Sequence, residues 1–585
     1  EASEKAGTNI FLVIWLTFVA IPILGVWYMY STHTGLEWWQ TTIIYQVYPR
    51  SFHDADGDGI GDIAGITVRL DHLEYLNVHA MWLSPFYESP MVDFGYDVEN
   101  HTKIDPIFGT MHDFDELVEK CHEKGIKIII DFIPNHTSNK HRWFQESRKS
   151  GDETNPHRDY YVWHDGKKDL HGNPMPPNNW ISIFGGSAWE WDPQRKQYYL
   201  HQFLKEQPDL NWTNPEVEQQ MMDILRFWLD KGVDGFRVDA VLTLFEDPSL
   251  RDEPESGKKD ASASQHEHLD HLYTLHQPEL YDIVTSWKKL LDEYEEKDRR
   301  QRFMVTEAYS EDISHIIKYY FSGVMPFNFD LVEADHRCNG ECFHQLVDRL
   351  IRHLPKGKWP NFVIGNHDRQ RVAARMGPQF VDAMNMLLLL LPGTPTVYYG
   401  EEIGMKALDV SFEDTQDPWG KFFGKERYQE FSRDPSRSPM QWSGSHQAGF
   451  SLSPKTWLPI HPGYKSHNVE YQKYLSTKSH LKLFRELALL REDPIFQTRD
   501  LDYAVITDNI FSFVRKHGEQ QTVLVAMNIG QVDSVNNYSE RPVHGTFGNI
   551  IITTNNLVIG NNRIDLRNIK LTPGQGIVVD VIVGS

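Results

Sequence analysis

The stretch DGFRVDAV, residues 234–241, reads as a short aromatic and β-branched strand that ends in an arginine and an aspartate two positions apart. Side chains alternate along a strand, so Arg237 and Asp239 share one face while Phe236 and Val238 share the other. A single such pair is ordinarily a surface ion pair. This one is informative because the run is one of eight. The others are TIIYQVY (42–48), AMWLSPF (80–86), IKIIIDFIP (126–134), RFMVTEAY (302–309), MPFNFDL (325–331), NFVIGNHD (361–368) and TPTVYYG (394–400). Helical patterns separate most of them. FDELVEKCHEKG and EQQMMDILRFWLDKG both end in Lys-Gly, a helix stop. Apolar strands that alternate with helices predict parallel pairing through crossovers, and eight of them predict an α/β fold, a (β/α)8 barrel.

Barrel sites lie at the C-terminal ends of the strands. Those ends carry Asp131, Asn135 and His136 after strand three, Arg237 and Asp239 on strand four, Glu307 on strand five, and His367 and Asp368 on strand seven. Unpaired buried charge is unfavourable, so four such ends meeting at one mouth are not explained by packing. Three acids in one place fit cleavage of a glycosidic bond. That reaction needs a proton on the leaving oxygen and a carboxylate for the oxocarbenium-like carbon. Arg237 is positioned to keep Asp239 ionised. Glu307 has no adjacent cation in sequence, which makes it the better acid.

The remaining regions have their own signatures. Residues 137–213 are rich in Pro, Gly, Asn and Trp and predict an irregular insertion domain. Residues 242–300 begin as a polar loop and continue as a helix. From about residue 500, DNIFSFVRK, QTVLVAMNIG and GIVVDVIV predict an antiparallel β domain. The expected organisation is a tail at 1–9, a membrane helix at 10–30, a linker at 31–36, the barrel at 37–136 and 214–495, the insertion at 137–213 and the β domain at 496–585. The membrane expectation rests on IFLVIWLTFVAIPILGVWYMY, 21 residues without charge. As a helix they span about 31 Å, enough for a bilayer core. The segment lacks the small-residue cleavage site of a signal peptide.

With 82 acidic and 58 basic residues, a formal charge of -24 and no Lys/Arg block, the chain is not a nucleic-acid binder. Cys338 and Cys342 are near enough to bridge, and Cys121 on a helical pattern reads as a buried thiol. Sequons occur at Asn100, Asn135, Asn211 and Asn537. Asn135 and Asn211 are expected to be buried and unmodified, leaving Asn537, with Asn100, as glycan acceptors. DADGDGIGD (54–62) sets Asp54, Asp56, Asp58 and Asp62 on a glycine-rich loop, a pattern suited to calcium.

From about Trp38 onward the chain resembles glycoside hydrolase family 13, the α-amylase superfamily, in its α-glucosidase and oligo-1,6-glucosidase branch. DFIPNH, GFRVDAV, TEAY, GNHD, QPDLNW (207–212) and GTPTVYYGEEIG (393–404) carry the resemblance. It implies Asp239 as nucleophile, Glu307 as acid/base and Asp368 as the third acid, with His136, Arg237 and His367 holding the sugar that is cleaved. It implies that Asp93 and Arg371 close the pocket end and Tyr96 stacks on the ring, so that single glucose units are removed. Ala240 resembles enzymes that prefer α-1,4 bonds or sucrose. Arg369–Gln370 departs from the Gln-Pro that relatives often carry. The same resemblance implies structural Ca2+ at Asp54, Asp56, Asp58, Asp62 and the backbone oxygen of Ile60, and a second ion at Asn135, Asp209 and Glu246. The anchor and EWWQ…IYQVYPRSF also resemble the heavy subunits of heteromeric amino-acid transporters. Gly35 stands where those subunits carry the bridging cysteine, so a multi-spanning partner would be held without a disulfide. The expected location is the plasma membrane, single-pass type II with the catalytic domain outside, and a homo-oligomer is left open.

Overall fold

The eight runs fold as parallel strands: β1 Ile44–Val47, β2 Ala80–Leu83, β3 Lys127–Phe132, β4 Gly235–Val238, β5 Phe303–Thr306, β6 Met325–Pro326, β7 Asn361–Val363 and β8 Thr394–Tyr398. Their order in the sheet is β6-β5-β4-β3-β2-β1-β8-β7. This computed structural model describes residues 35–149, 154–518, 521–554 and 563–582. The membrane-helix reading at 10–30 lies outside the described residues. Among the described residues no helix is long and apolar enough to cross a membrane.

β6 and β7 are not ladder-paired, and the seam between them is spanned by a side chain. Asn361 Oδ1 accepts from the Asn328 amide at 3.4 Å, while Asn361 Nδ2 donates to the Thr394 carbonyl at 2.7 Å. The strands are shorter than the runs that announce them. MPFNFDL pairs at two residues only, because the chain then leaves the barrel wall in a 3-10 turn at Asp330–Val332.

Helices α1 Met111–Glu123, α2 Pro215–Asp230, α3 Leu280–Asp298, α4 Ile313–Phe321, α5 Gly340–His353, α6 Val381–Leu390 and α7 His480–Leu490 surround the strands. Thr110 caps α1 and Asn214 caps α2. The Lys-Gly stops work as expected: Gly125 and Gly232 take positive φ (71° and 93°) just past α1 and α2, where a Cβ would strain the turn. α6 buries nearly every residue, because the C-terminal domain covers the face it turns away from the barrel. Arg515 of that domain, itself buried, donates to the Leu390 carbonyl at the end of α6 at 2.8 Å. The domain is a six-stranded antiparallel sheet built mainly on residues 510–517, 521–528, 547–553 and 576–582. The segment 137–213 is more regular than its composition announces. Residues 163–164, 189–192 and 197–200 form a three-stranded sheet over a small core of Trp180, Trp189, Tyr198 and Leu200.

Candidate active site

The parallel ladder continues one rung beyond the strands, and that rung sets the acids. The Asp239 amide donates to the Phe132 carbonyl at 2.8 Å, and the Glu307 amide donates to the Val238 carbonyl at 2.9 Å. Asp239 and Glu307 therefore leave adjacent strand ends side by side. Arg237 is in register with Asp131 on β3. Its Nη1 donates to Asp131 Oδ1 (2.9 Å) and to Asp239 Oδ1, while Nη2 pairs with Glu307 Oε2 at 2.9 Å. One guanidinium, 2 % exposed and 5.0 Å from the Trp82 ring, thus serves three carboxyls.

This revises the sequence reading in two ways. Glu307 does have a cationic neighbour, supplied by the neighbouring strand. Arg237 does not by itself keep Asp239 ionised. Burial pushes the Asp239 carboxyl well above its usual range; Arg237 pulls it back, but Glu307 and Asp131 push with burial. Burial likewise raises Asp131 to about 7 against the pull of Arg237. Burial and like-charge crowding thus favour the protonated forms of Asp131 and Asp239 against the pull of one cation.

Ala240 follows the nucleophile candidate at φ 44°, ψ 35°, a left-handed conformation unfavourable for a residue with a Cβ. That turn aims its amide at Glu307 Oε2, 3.0 Å away. Backbone strain here positions the acid.

Tyr96 and His367 form the next layer. Their rings are stacked, 5.4 Å between centroids and 3° apart in plane. His367 Nδ1 lies 2.8 Å from Gln46 Nε2, its Nε2 lies 2.7 Å from Tyr96 Oη, and Tyr96 Oη donates to Asp131 Oδ2 at 3.2 Å. Burial lowers both His136 and His367 to about 3, so both are neutral imidazoles at physiological pH. Asp368 is the opposite of Asp239. Its enclosure would raise it, but His367, Arg437 and Arg433 together hold it well below the usual carboxylate range. Arg437 Nη2 donates to Asp368 Oδ1 at 2.7 Å.

Arg371 is a correction. It does not reach Asp93. It is buried at 1 %, donates to the Tyr399 carbonyl at 2.8 Å and lies over the Tyr398 and Tyr399 rings. The partner of Asp93 is Arg433, at 2.7 Å, which also pairs with Asp417 at 2.7 Å and with Asp368 at 3.4 Å. Asp93 is presented by a loop that folds around Asp97, whose carboxylate accepts the Val92 and Asp93 amides. Asp93, Tyr96, His136, Asp239, Glu307, His367, Asp368 and Arg433 all line one pocket of about 330 Å³. Phe184 and Phe203 of the insertion, Tyr309 and Trp419 also line it.

The match to known proteins follows that geometry. The family model of the alpha amylase catalytic domain matches residues 46–498. The chain belongs to the alpha-amylase family. It is 42% identical to "Maltase 1" of Drosophila virilis over 562 residues, which is 94% of this chain and 87% of that one. It is also 39% identical to the "Amino acid transporter heavy chain SLC3A1" of Homo sapiens over 588 residues, 97% of this chain and 82% of that one. Among solved structures it is similar to an alpha-glucosyl transfer enzyme, XgtA, with a TM-score of 0.83 and 36% identity, covering 93% of this chain and all of that one.

Away from the pocket, this alpha-amylase family member brings two sets of candidate metal ligands together. Carboxylate oxygens of Asp54, Asp56 and Asp58 lie within 4.8 Å of one another. Asp62 is turned into the loop instead: it caps the helix at Ile63–Val68 through the Gly65 amide and accepts from the Ala55 amide. The Ile60 amide donates to Asp58 Oδ1 at 2.7 Å. In the second set, Asn135 Nδ2 donates to Asp209 Oδ1 at 3.2 Å, and Gln202 Nε2 donates to Asp209 Oδ2 (2.8 Å) and Glu246 Oε1 (3.3 Å). Burial raises Asp209 to about 7, and burial followed by the nearby Asp209 raises Glu246 well above its usual range.

Cys338 and Cys342 are bridged, and Cys121 is a buried thiol. Asn537 is exposed, Asn100 is half-buried on a short strand and Asn135 is buried. Asn211 departs from expectation: it is half-exposed, held by a bond from its Nδ2 to the Asp159 carbonyl.

Proposed function

We propose that this chain is an exo-acting, retaining α-glucosidase of maltose- and sucrose-type α-glucosides, anchored to the plasma membrane by residues 10–30. The observation that carries it is the pairing of Asp239 and Glu307 on one guanidinium, in a pocket also lined by the Asp93–Arg433 ion pair, which we read as its closed end. Retaining enzymes set their two carboxyls about 5 Å apart, and two groups on one guanidinium are held at short range. Arg237 holds Oδ1 of Asp239, which leaves Oδ2 to attack the anomeric carbon. Arg237 and the Ala240 amide hold Oε2 of Glu307, which leaves Oε1 to carry the proton. That proton passes to the glycosidic oxygen as the bond to the anomeric carbon breaks and the glucosyl–Asp239 ester forms. Glu307 then takes a proton from water, whose oxygen displaces Asp239. Asp368, kept ionised by Arg437 and Arg433, accepts hydrogen bonds from sugar hydroxyls. The small Ala240 favours α-1,4 bonds.

The two acidic clusters suit Ca2+, since both offer hard oxygen donors and the second places raised carboxyls together. The ion supplies structural stability and takes no part in hydrolysis. Asp54, Asp56 and Asp58 would hold the first ion; Asn135, Asp209 and Glu246 would hold the second. Chelation is expected to lower the melting temperature, since a ligand held a hundredfold above its Kd stabilises by about 2.7 kcal/mol. Asp56→Ala/Asp58→Ala should melt lower than the parent and respond less to chelator. A parent whose melting curve ignores prolonged chelation would leave the clusters without an ion.

A second reading, the heavy subunit of a heteromeric amino-acid transporter, is favoured by the 39% identity to such a chain. One preparation separates the two. Detergent extraction of membranes should yield a protein that releases glucose from maltose, initially as the α-anomer. On non-reducing gels it should run without a covalent partner. Recovery only in the soluble fraction would remove the anchor. Release of the β-anomer would remove the retaining mechanism. An inactive protein that co-purifies stoichiometrically with a multi-spanning subunit would put the transporter reading first.

A further inference from the structure

We infer that Arg369 is a specificity-determining residue that binds hydroxyls of the leaving-group sugar; this rests on the glucosidase reading above. The sugar cleaved from the bond must leave on the side of Glu307, the group that protonates the departing oxygen. Besides the residues already placed, the pocket is lined by aromatic and apolar side chains, Thr243, His266, Glu267 and Arg369. Arg433 belongs to the closed end, through its bond to Asp93. Of the two arginines among the described residues that line the pocket, Arg369 is the one not bound to Asp93, which leaves it for the leaving-group sugar.

Its geometry is that of a group that is held in place and only partly engaged. Arg369 Nη2 pairs with Glu333 Oε1 at 2.8 Å, and the guanidinium lies 5.7 Å from the centre of the Tyr309 ring. Tyr309 is two residues beyond Glu307 and is braced by Phe329, stacked at 4.2 Å. The guanidinium is therefore fixed over a ring that stands two residues from the acid. Its Nε is buried and has no hydrogen-bond partner. The side chain as a whole is 39 % exposed and only its Nη2 is paired, with Glu333, so the accessible end of the fork is available to a ligand that supplies acceptors. The planar fork of an arginine also bonds two adjacent oxygens at once. The complementary chemistry is a leaving group with neighbouring hydroxyls, such as the second glucose of maltose, rather than a small alcohol or an apolar aglycone.

The test compares maltose with methyl α-glucoside. Both need a proton on the leaving oxygen, so a fault in Glu307 would slow both, while only maltose offers hydroxyls to Arg369. In Arg369→Gln, the ratio of kcat/KM for maltose to that for methyl α-glucoside should fall about tenfold, the size of one hydrogen bond to a charged group. Glu333→Gln keeps the guanidinium and should hold the ratio near its parent value, within roughly threefold. A ratio unchanged in Arg369→Gln would overturn the assignment, whether both substrates slow together or neither does. Reproduction of the loss by Glu333→Gln would make the ion pair a structural brace and overturn it equally. A parent protein that turns over neither substrate would refute the glucosidase reading itself, and the assignment with it.

Discussion

Asp239→Asn should lower turnover of maltose by roughly four orders of magnitude or more, because it removes the oxygen nucleophile and no neighbouring group can replace it. The fold should survive. Asp239 is one of three carboxyls on Arg237, and its replacement leaves Asp131 and Glu307 to share the guanidinium. Asn is close in volume, and burial already disfavours the charge that it removes. Melting temperature should stay level or rise. The companion Glu307→Gln separates the two roles. It should be nearly as damaging on maltose and much less so in the glycosylation step with activated aryl glucosides, whose leaving group needs no proton. Pre-steady-state release of the aryl alcohol measures that step. Equal loss there for aryl and sugar leaving groups would refute the acid role. An Asp239→Asn protein that hydrolyses maltose at the parent rate would remove the nucleophile assignment.

Arg433→Met should destabilise the protein by about 3–5 kcal/mol, the usual penalty for leaving buried carboxylates without their cation. Arg433 is 8 % exposed and bonds Asp93 and Asp417, both buried. Burial alone would raise Asp417, yet Arg433 and Arg437 hold it below its usual range. The Asp417 carboxylate thus favours folding above its unfolded pKa and, in the parent, loses that advantage as pH falls through its lower folded pKa. Arg433→Met should therefore lose most stability around neutral pH and less in acid. The variant also opens the pocket end, so maltotriose should release products other than glucose at its non-reducing end. Thermal melts at several pH values, together with product chromatography, check both claims. A variant with parent stability and glucose-only release would return the pocket end to another residue.

The corrections at Arg433 and Arg371 show where sequence reading runs out. Arg433 lies in FSRDPSRSP, a stretch with no periodicity and no charged strand end, 340 positions from Asp93. Nothing local marks it as part of the pocket. Arg371 stands three residues after Asp368 in a conspicuous motif, yet its side chain turns inward to the Tyr398 and Tyr399 rings. Proximity in a motif does not specify side-chain direction. Arg369, two residues earlier in the same loop, is the cation that faces the pocket.

Local chemistry alone determined the eight strands, the helix stops, the carboxyls at the ends of strands three, four, five and seven, and the aspartates of the glycine-rich loop. Strand periodicity, Lys-Gly termination and ligand spacing each operate within a few residues, so a linear chain displays them. Tertiary structure alone decided which cation meets which carboxyl. Arg237 serves Asp131 and Glu307 as well as Asp239 because three strands end at one level. Asp93 takes Arg433 because a segment beyond the last barrel strand folds back to it. Charge pairing acts through space over a few ångströms, and the distances that set it exist only once the barrel has formed.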